Sequence, residues 1–243
     1  MFATVSSKLS WVSYNLAMAQ RRKLHDQYFK LAKAQGYLAR SAYKLIEIDD
    51  RFKLFGTKRS KPIRVLDVGC APGSWLQVAA QRCPPSSSIV GIDLKAITHP
   101  MPSHISTLVG DIEKTDPRMV REAAGGWFDL VLSDMAPNTT GHGDDSKSAH
   151  LCRSLLDLLP GLLGPRGNFA MKILEGQEYR LVLGHTKKRF REARGFKPKA
   201  SRDASREIYI IGKSFLQNTP TTTPTPTQPQ PTTDSHTHAE SGR

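Results

Sequence analysis

The sequence predicts an α/β fold, a doubly wound and mostly parallel sheet with helices on both faces. Apolar, β-branched runs recur along the chain, and helical patterns separate them. A third observation is the glycine turn "DVGCAPGSW" directly after the first run, since sheets of this class bind ligands at the carboxyl ends of their strands.

Ahead of the sheet, "SAYKLIEIDDRF" sets Ala42, Leu45, Ile46 and Ile48 at helical rather than alternating spacing. Strands are then predicted over 63–69 (IRVLDVG), 88–94 (SIVGIDL), 104–110 (HISTLVG), 128–134 (FDLVLSD), 168–174 (NFAMKIL) and 207–212 (EIYIIG), with helices near 74–82, 116–124, 146–163 and 178–193. No internal repeat is present. At 243 residues and 38% hydrophobic the chain supplies one sizeable core, while two full domains would be cramped. Thr219–Thr233 holds only eight Thr, five Pro and two Gln, which bury nothing and read as a disordered tail. The division is therefore 1–26, a basic arm; 27–216, the folded domain; and 217–243, the tail.

Lys and Arg number 35 against 22 Asp and Glu, a net charge of +13. The last 25 residues are net −1, Arg243 against Asp234 and Glu240, which leaves +14 on the first 218. That balance suits a polyanion, whose counterions are released as its phosphates are neutralised. Nine basic residues lie between Lys187 and Arg206, and Arg21, Arg22, Lys23, Lys30, Lys33 and Arg40 form a second cluster; brought together they would make a track for a phosphate backbone. Cys70, Cys83 and Cys152 form no C-x-x-C pair, so neither a disulfide framework nor a zinc site is expected. No apolar run approaches the roughly 20 residues that span a bilayer. The first 25 residues lack acids and hold Lys8, Arg21, Arg22 and Lys23, which resembles an organelle transit peptide as well as a basic arm. A cytoplasmic monomer is expected, with a mitochondrion as the alternative location in a eukaryotic host.

The glycine turn carries Asp67, Gly69, Pro72, Gly73 and Trp75. The phosphate-cradling G-x-G-x-x-G spacing is missing, and Pro72 removes an N–H that a pyrophosphate would need. A cofactor without phosphates fits better, and S-adenosylmethionine (SAM) is the foremost: it needs a carboxylate for its amino group, a glycine turn for close approach and an acid for its ribose. Asp93 ends the second strand 26 residues after Asp67, close to the interval at which such an acid meets a ribose, and Asp111 in "VGDI" is placed for an adenine edge. Each acid alone reads as a cap or turn former. Three after successive strands read as a site. Trp75 by itself reads as core packing.

With Asp134 in "SDMAPN", the sequence resembles the FtsJ/RrmJ (RlmE) family of ribosomal RNA 2′-O-methyltransferases. The likeness runs from about Gln27 to Gly212 through "ARSAYKL", "LDVGCAPGSW", "GIDL", "GDI", "LSDMAPN", "FAMKILEG" and "KPKASRDASREIYI". It implies a Rossmann-like, SAM-dependent methyltransferase domain over 27–216 with seven strands, the last antiparallel. It further implies a catalytic tetrad, falling on Lys44, Asp134, Lys172 and Glu207, and cofactor contacts at Gly73, Trp75, Asp93, Asp111 and Asp134. Ser74 and Cys70 depart from the family's commoner glycine and alanine, both small. No metal is implied.

A ribose hydroxyl is a poor nucleophile while protonated. Lys172 is the candidate to act on it, either neutral as a base or charged as a stabiliser of the oxyanion. Met135, Ala136 and Asn138 offer no aromatic to stack a flipped base, which favours ribose over base as acceptor. The expected substrate is large-subunit rRNA or the large ribosomal subunit, at a uridine of the peptidyl-transferase A-loop. A tRNA anticodon-loop methyltransferase, which "YFKLAKAQGYLARSAYKL" also resembles, and a non-catalytic RNA-binding assembly protein are the alternatives. A nicotinamide dehydrogenase is the outsider.

Overall fold

The structure, a computed structural model, describes residues 27–58, 60–137, 143–201 and 205–216. The arm, the tail and Asn138 lie outside the described residues. A helix over 27–34 (α1) and α2 (Ala42–Phe52) precede the sheet. There follow β1 (Arg64–Val68), α3 (Ser74–Arg82), β2 (Ser88–Asp93), β3 (Ile105–Val109), α4 (Pro117–Ala124), β4 (Phe128–Ser133), α5 (Asp144–Leu162), β5 (Leu163–Leu174), α6 (Tyr179–Arg189), β6 (Phe190–Phe196) and β7 (Glu207–Phe215).

The seven strands are ordered β3-β2-β1-β4-β5-β7-β6, and β7 alone runs against the rest, antiparallel to both β5 and β6. The direction of chain winding reverses between β1 and β4, so their carboxyl ends open a crevice. Side chains alternate across each strand, which divides the core in two. Val65, Ile89, Leu130, Leu132, Ala170, Tyr209 and Ile211 pack on α2 and α3. Leu66, Val90, Val131, Phe169 and Met171 pack on the side of α4, α5 and α6.

One predicted element is corrected. The helix expected over 178–193 stops at Arg189, and 190–196 is a strand on the open edge of the sheet. Phe190 is buried and its ring stacks on Phe169 at 5.8 Å and meets Phe215 at 5.2 Å, so pairing with β7 outweighs the local helical spacing. Arg191 and Glu192 face solvent, as charges on an edge strand usually do. β5 also starts five residues earlier than predicted, at Leu163.

Phe190 pins that edge strand to the core. Phe190→Ala is expected to cost about 3–5 kcal/mol of stability, the usual range for deleting a buried ring, read from the midpoint of urea unfolding.

Candidate active site

β5 and β7 bring the central residues together through their register. Lys172 lies opposite Tyr209, and Leu174 opposite Glu207. The two-residue period therefore points Lys172, Tyr209 and Glu207 at the same face, the one that α2 covers. Lys44 is on the inward side of α2, 4% exposed, and its Nζ donates to Glu207 Oε2 at 2.7 Å. Lys172, 7% exposed, donates from Nζ to the Asp134 carbonyl at 2.6 Å and stands 3.0 Å from Asp134 Oδ1. All four residues expected of the tetrad thus converge, as one ion pair between β5 and the end of β4 and another between α2 and β7. Burial would raise the Glu207 carboxyl, but the charge and hydrogen bond of Lys44, with Lys172 beyond, outweigh it and hold it below the usual range.

Tyr209 is the member that the sequence reading missed. Its ring is fully buried against Trp75 (centroids 5.8 Å), and its hydroxyl donates to Asp134 Oδ1 at 2.8 Å. Burial, then the charges of Asp134 and Glu207, push the phenol well above its ordinary value, so it stays a donor. The signal was present in "EIYIIG": two residues after Glu207 on a strand is the same face.

Asp134 stands at the end of β4, beside β1, and lines a cavity of about 450 Å³ with Gly69, Ala71, Asp93, Asp111, Met135 and neighbouring residues. Gly69 has φ +76°, and a side chain there would collide with Met135, so glycine lets the β1 and β4 loops touch. Asp93 accepts from Ala71 N at 3.0 Å and Lys95 N at 2.8 Å, and Asp111 from Glu113 N at 3.1 Å. Both acids shape their turns and face the cavity. Gly73 and Trp75 are not in its lining. Gly73, at φ +111°, is packed under Leu38, Ile97 and Met101, and Trp75 Nε1 donates to the Ser41 carbonyl at 2.9 Å, locking α3 to the start of α2.

Asp67 is wholly buried, and neither of its oxygens has a hydrogen-bond partner among the described residues. Burial, then the charges of Asp134 and Asp93, raise its carboxyl well above the ordinary range. A buried carboxyl with no hydrogen-bond partner is costly, and a positively charged group entering beside Asp67 would relieve it. This set of acceptors, with the cavity and the acids after β2 and β3, fits a cofactor that carries an ammonium and a ribose.

The two basic clusters meet on α2. Glu47 accepts from Lys199 N at 2.7 Å and Ala200 N at 2.9 Å and, at 3.4 Å, from the hydroxyl of Tyr28. α1, which carries Lys30 and Lys33, and the segment that carries Lys197 and Lys199 thereby both touch the helix that bears Lys44. Arg21, Arg22, Lys23 and Arg202 lie outside the described residues. Among the described residues no cluster of three or more metal-binding side chains occurs, and no helix is long and apolar enough to cross a membrane.

This sheet order, with acids ending its first four strands around one crevice, is that of the Rossmann-like methyltransferases. Residues 37–215 match the model of the FtsJ-like methyltransferase family, and the chain belongs to that family. It is 44% identical over 194 residues to ribosomal RNA large subunit methyltransferase E of Syntrophobacter fumaroxidans, covering 78% of this chain and 95% of that protein. The protein of the same name from Halobacterium salinarum is 40% identical over 196 residues, covering 79% and 74%. Among solved structures, a ribosomal RNA methyltransferase of Plasmodium falciparum superposes with a TM-score of 0.64 at 29% identity, covering 74% of this chain and 99% of that one. Human methyltransferase-like protein 13, solved with SAH, shares the fold at 15% identity, with a TM-score of 0.50 over 63% of this chain and 72% of that one.

The raised carboxyl of Asp67 has a thermodynamic sign. Its neutral form is the one the fold tolerates, so the stability it permits is complete at low pH and falls as pH rises through the folded value. Asp67→Asn removes that dependence. Without ligand, the melting temperature of Asp67→Asn relative to the parent should climb as pH goes from acidic to mildly alkaline; a constant difference in thermal melts would contradict it.

Proposed function

We propose that the protein is a SAM-dependent rRNA methyltransferase that modifies a ribose 2′-oxygen of the large ribosomal subunit, with a uridine of the peptidyl-transferase A-loop as its target. The observation that carries this reading is the convergence of Lys172–Asp134 and Lys44–Glu207, with Asp134 lining the same cavity as Asp93 and Asp111. The names of the similar proteins and the excess of basic residues support an rRNA substrate. RNA is also the nucleic acid that carries the hydroxyl to be methylated.

When bound, SAM supplies an electrophilic methyl on a sulfonium that leaves as a neutral thioether. The protein's part is alignment and proton handling. Asp93 and Asp111 would hold the nucleoside end, the unpartnered carboxyl of Asp67 would ionise beside the positive charge of the amino-acid end, and Asp134 would join the cofactor wall to the reaction centre. Holding acceptor, methyl and sulfur in line is worth about 7–11 kcal/mol in favourable cases.

Lys172 Nζ has three donors and spends two on the carbonyl and carboxylate of Asp134. The third is left for the acceptor oxygen. With that third donor Lys172 orients the hydroxyl and stabilises the oxygen as its proton leaves. Lys44 is held by Glu207 beside it and adds a second positive charge at the same spot. The donor of Tyr209 keeps Asp134 Oδ1 fixed.

Labelled-methyl transfer to large ribosomal subunits, free rRNA and tRNA tests this reading, followed by nuclease digestion to show a 2′-O-methyl nucleoside. Label is expected in the large subunit or its rRNA, and Lys172→Ala should lower the rate about 10²–10⁴-fold, the usual worth of a positioned proton-handling group. Label confined to tRNA, label on a base, or an undiminished Lys172→Ala would each overturn it.

A further inference from the structure

Beside Lys44 lies a group of aromatic rings that the reaction described above does not use. Tyr28 on α1, Tyr37 in the connection and Tyr43 on α2 form a continuous cluster: Tyr28 and Tyr43 centroids are 5.3 Å apart, Tyr37 and Tyr43 5.7 Å. All three are partly exposed. Their hydroxyls are tethered, Tyr28 to Glu47, Tyr43 to Gln35 at 2.9 Å and Tyr37 to Gln81 at 2.5 Å. Rings held at their far ends pay little entropy on meeting a flat partner.

The setting carries more bases than acids, Glu47 being the acid that Tyr28 touches. Residues 27–46 contain no Asp or Glu, while Lys30, Lys33, Arg40 and Lys44 are basic, and Lys30 and Lys33 are exposed. The cluster also borders the reaction centre. Tyr43 precedes Lys44 on α2, and Ser41, two residues back, holds Trp75 Nε1 and meets Ser74 Oγ at 2.8 Å on the turn beside the cofactor crevice. Aromatic faces interleaved with lysines match an unpaired nucleotide, whose base stacks while its phosphates meet the cations.

We propose that Tyr28, Tyr37 and Tyr43 form a stacking platform for an unpaired nucleobase next to the acceptor nucleotide, so that one base is gripped while the neighbouring ribose is presented to Lys172. This rests on the reading that the substrate is RNA. Packing of α1 on α2 needs only apolar volume, whereas stacking needs a ring face, and substitutions at Tyr43 separate the two.

The full-length protein with Tyr43→Leu should show a KM for rRNA roughly ten-fold higher, in line with the loss of one base–aromatic stack, while its dissociation constant for SAM stays put. Tyr43→Phe, which keeps the ring, should recover most of that loss. A Tyr43→Leu variant with the parent's RNA KM, or one that loses SAM binding and RNA binding together, would overturn the platform. Binding of an unpaired RNA oligonucleotide containing 2-aminopurine tests it apart from catalysis. Quenching by the parent and Tyr43→Phe but not by Tyr43→Leu is expected, and equal signals from all three would sink it. If the parent methylates no RNA yet this quenching pattern appears, the substrate reading fails and the platform stands.

Discussion

The Asp134 carboxylate is the constraint around which the centre is built. It ends β4 at the point where the winding of the sheet reverses, and its Oδ1 is shared by Lys172 of β5 and the hydroxyl of Tyr209 of β7. A lysine and a phenol buried this deeply need a partner, and one acceptor serves both. Three strands are thereby tied at their functional ends. The second pair, Lys44–Glu207, adds α2 to the same knot. A β7 that runs antiparallel beside β5 sets Tyr209 opposite Lys172 and Glu207 two pairs further along, on the same face.

The acids behind that knot work against stability. Asp67, Asp93 and Asp134 crowd the crevice, and Asp67 has no hydrogen-bond partner among the described residues. A wholly buried acid without a partner, crowded by two others, is a pattern expected of a site shaped for a ligand rather than for the empty fold. A cation bound beside Asp67 would restore the balance, so occupancy and stability should rise together.

α2 is the element on which substrate-facing features accumulate. Its inner side carries Lys44, its first residues anchor Trp75 and the cofactor turn, and Glu47 gathers the backbone of Lys199 and Ala200 together with Tyr28. The segments that carry Lys30 and Lys33 and that carry Lys197 and Lys199, far apart in the chain, both touch this one helix through Glu47. The same helix contributes Leu45, Ile48 and Phe52 to the core, so its position is set by packing rather than by the charges it presents.

Strand and helix order, the glycine turn, the acids after the strands and the four charged residues were all legible in the sequence, because each is a local signal: a period of two or 3.6, a loop composition, or a short motif that resembles a known family. β6 was not, since 190–196 becomes a strand through Phe190 and through pairing with β7, contacts absent from the local spacing. Tyr209 was half legible: its face follows from period two, but its hydroxyl's partner lies 75 residues away. Trp75 was assigned to the cofactor by resemblance and to the core by its chemistry, and the fold puts its ring in the core. Sequence alone determined which groups are available and, outside β6, on which element each sits. Which carboxylate pairs with which lysine, and that Asp67 has no such partner, was decided by tertiary structure, because those energies depend on distances and desolvation that arise only when remote strands close on one another.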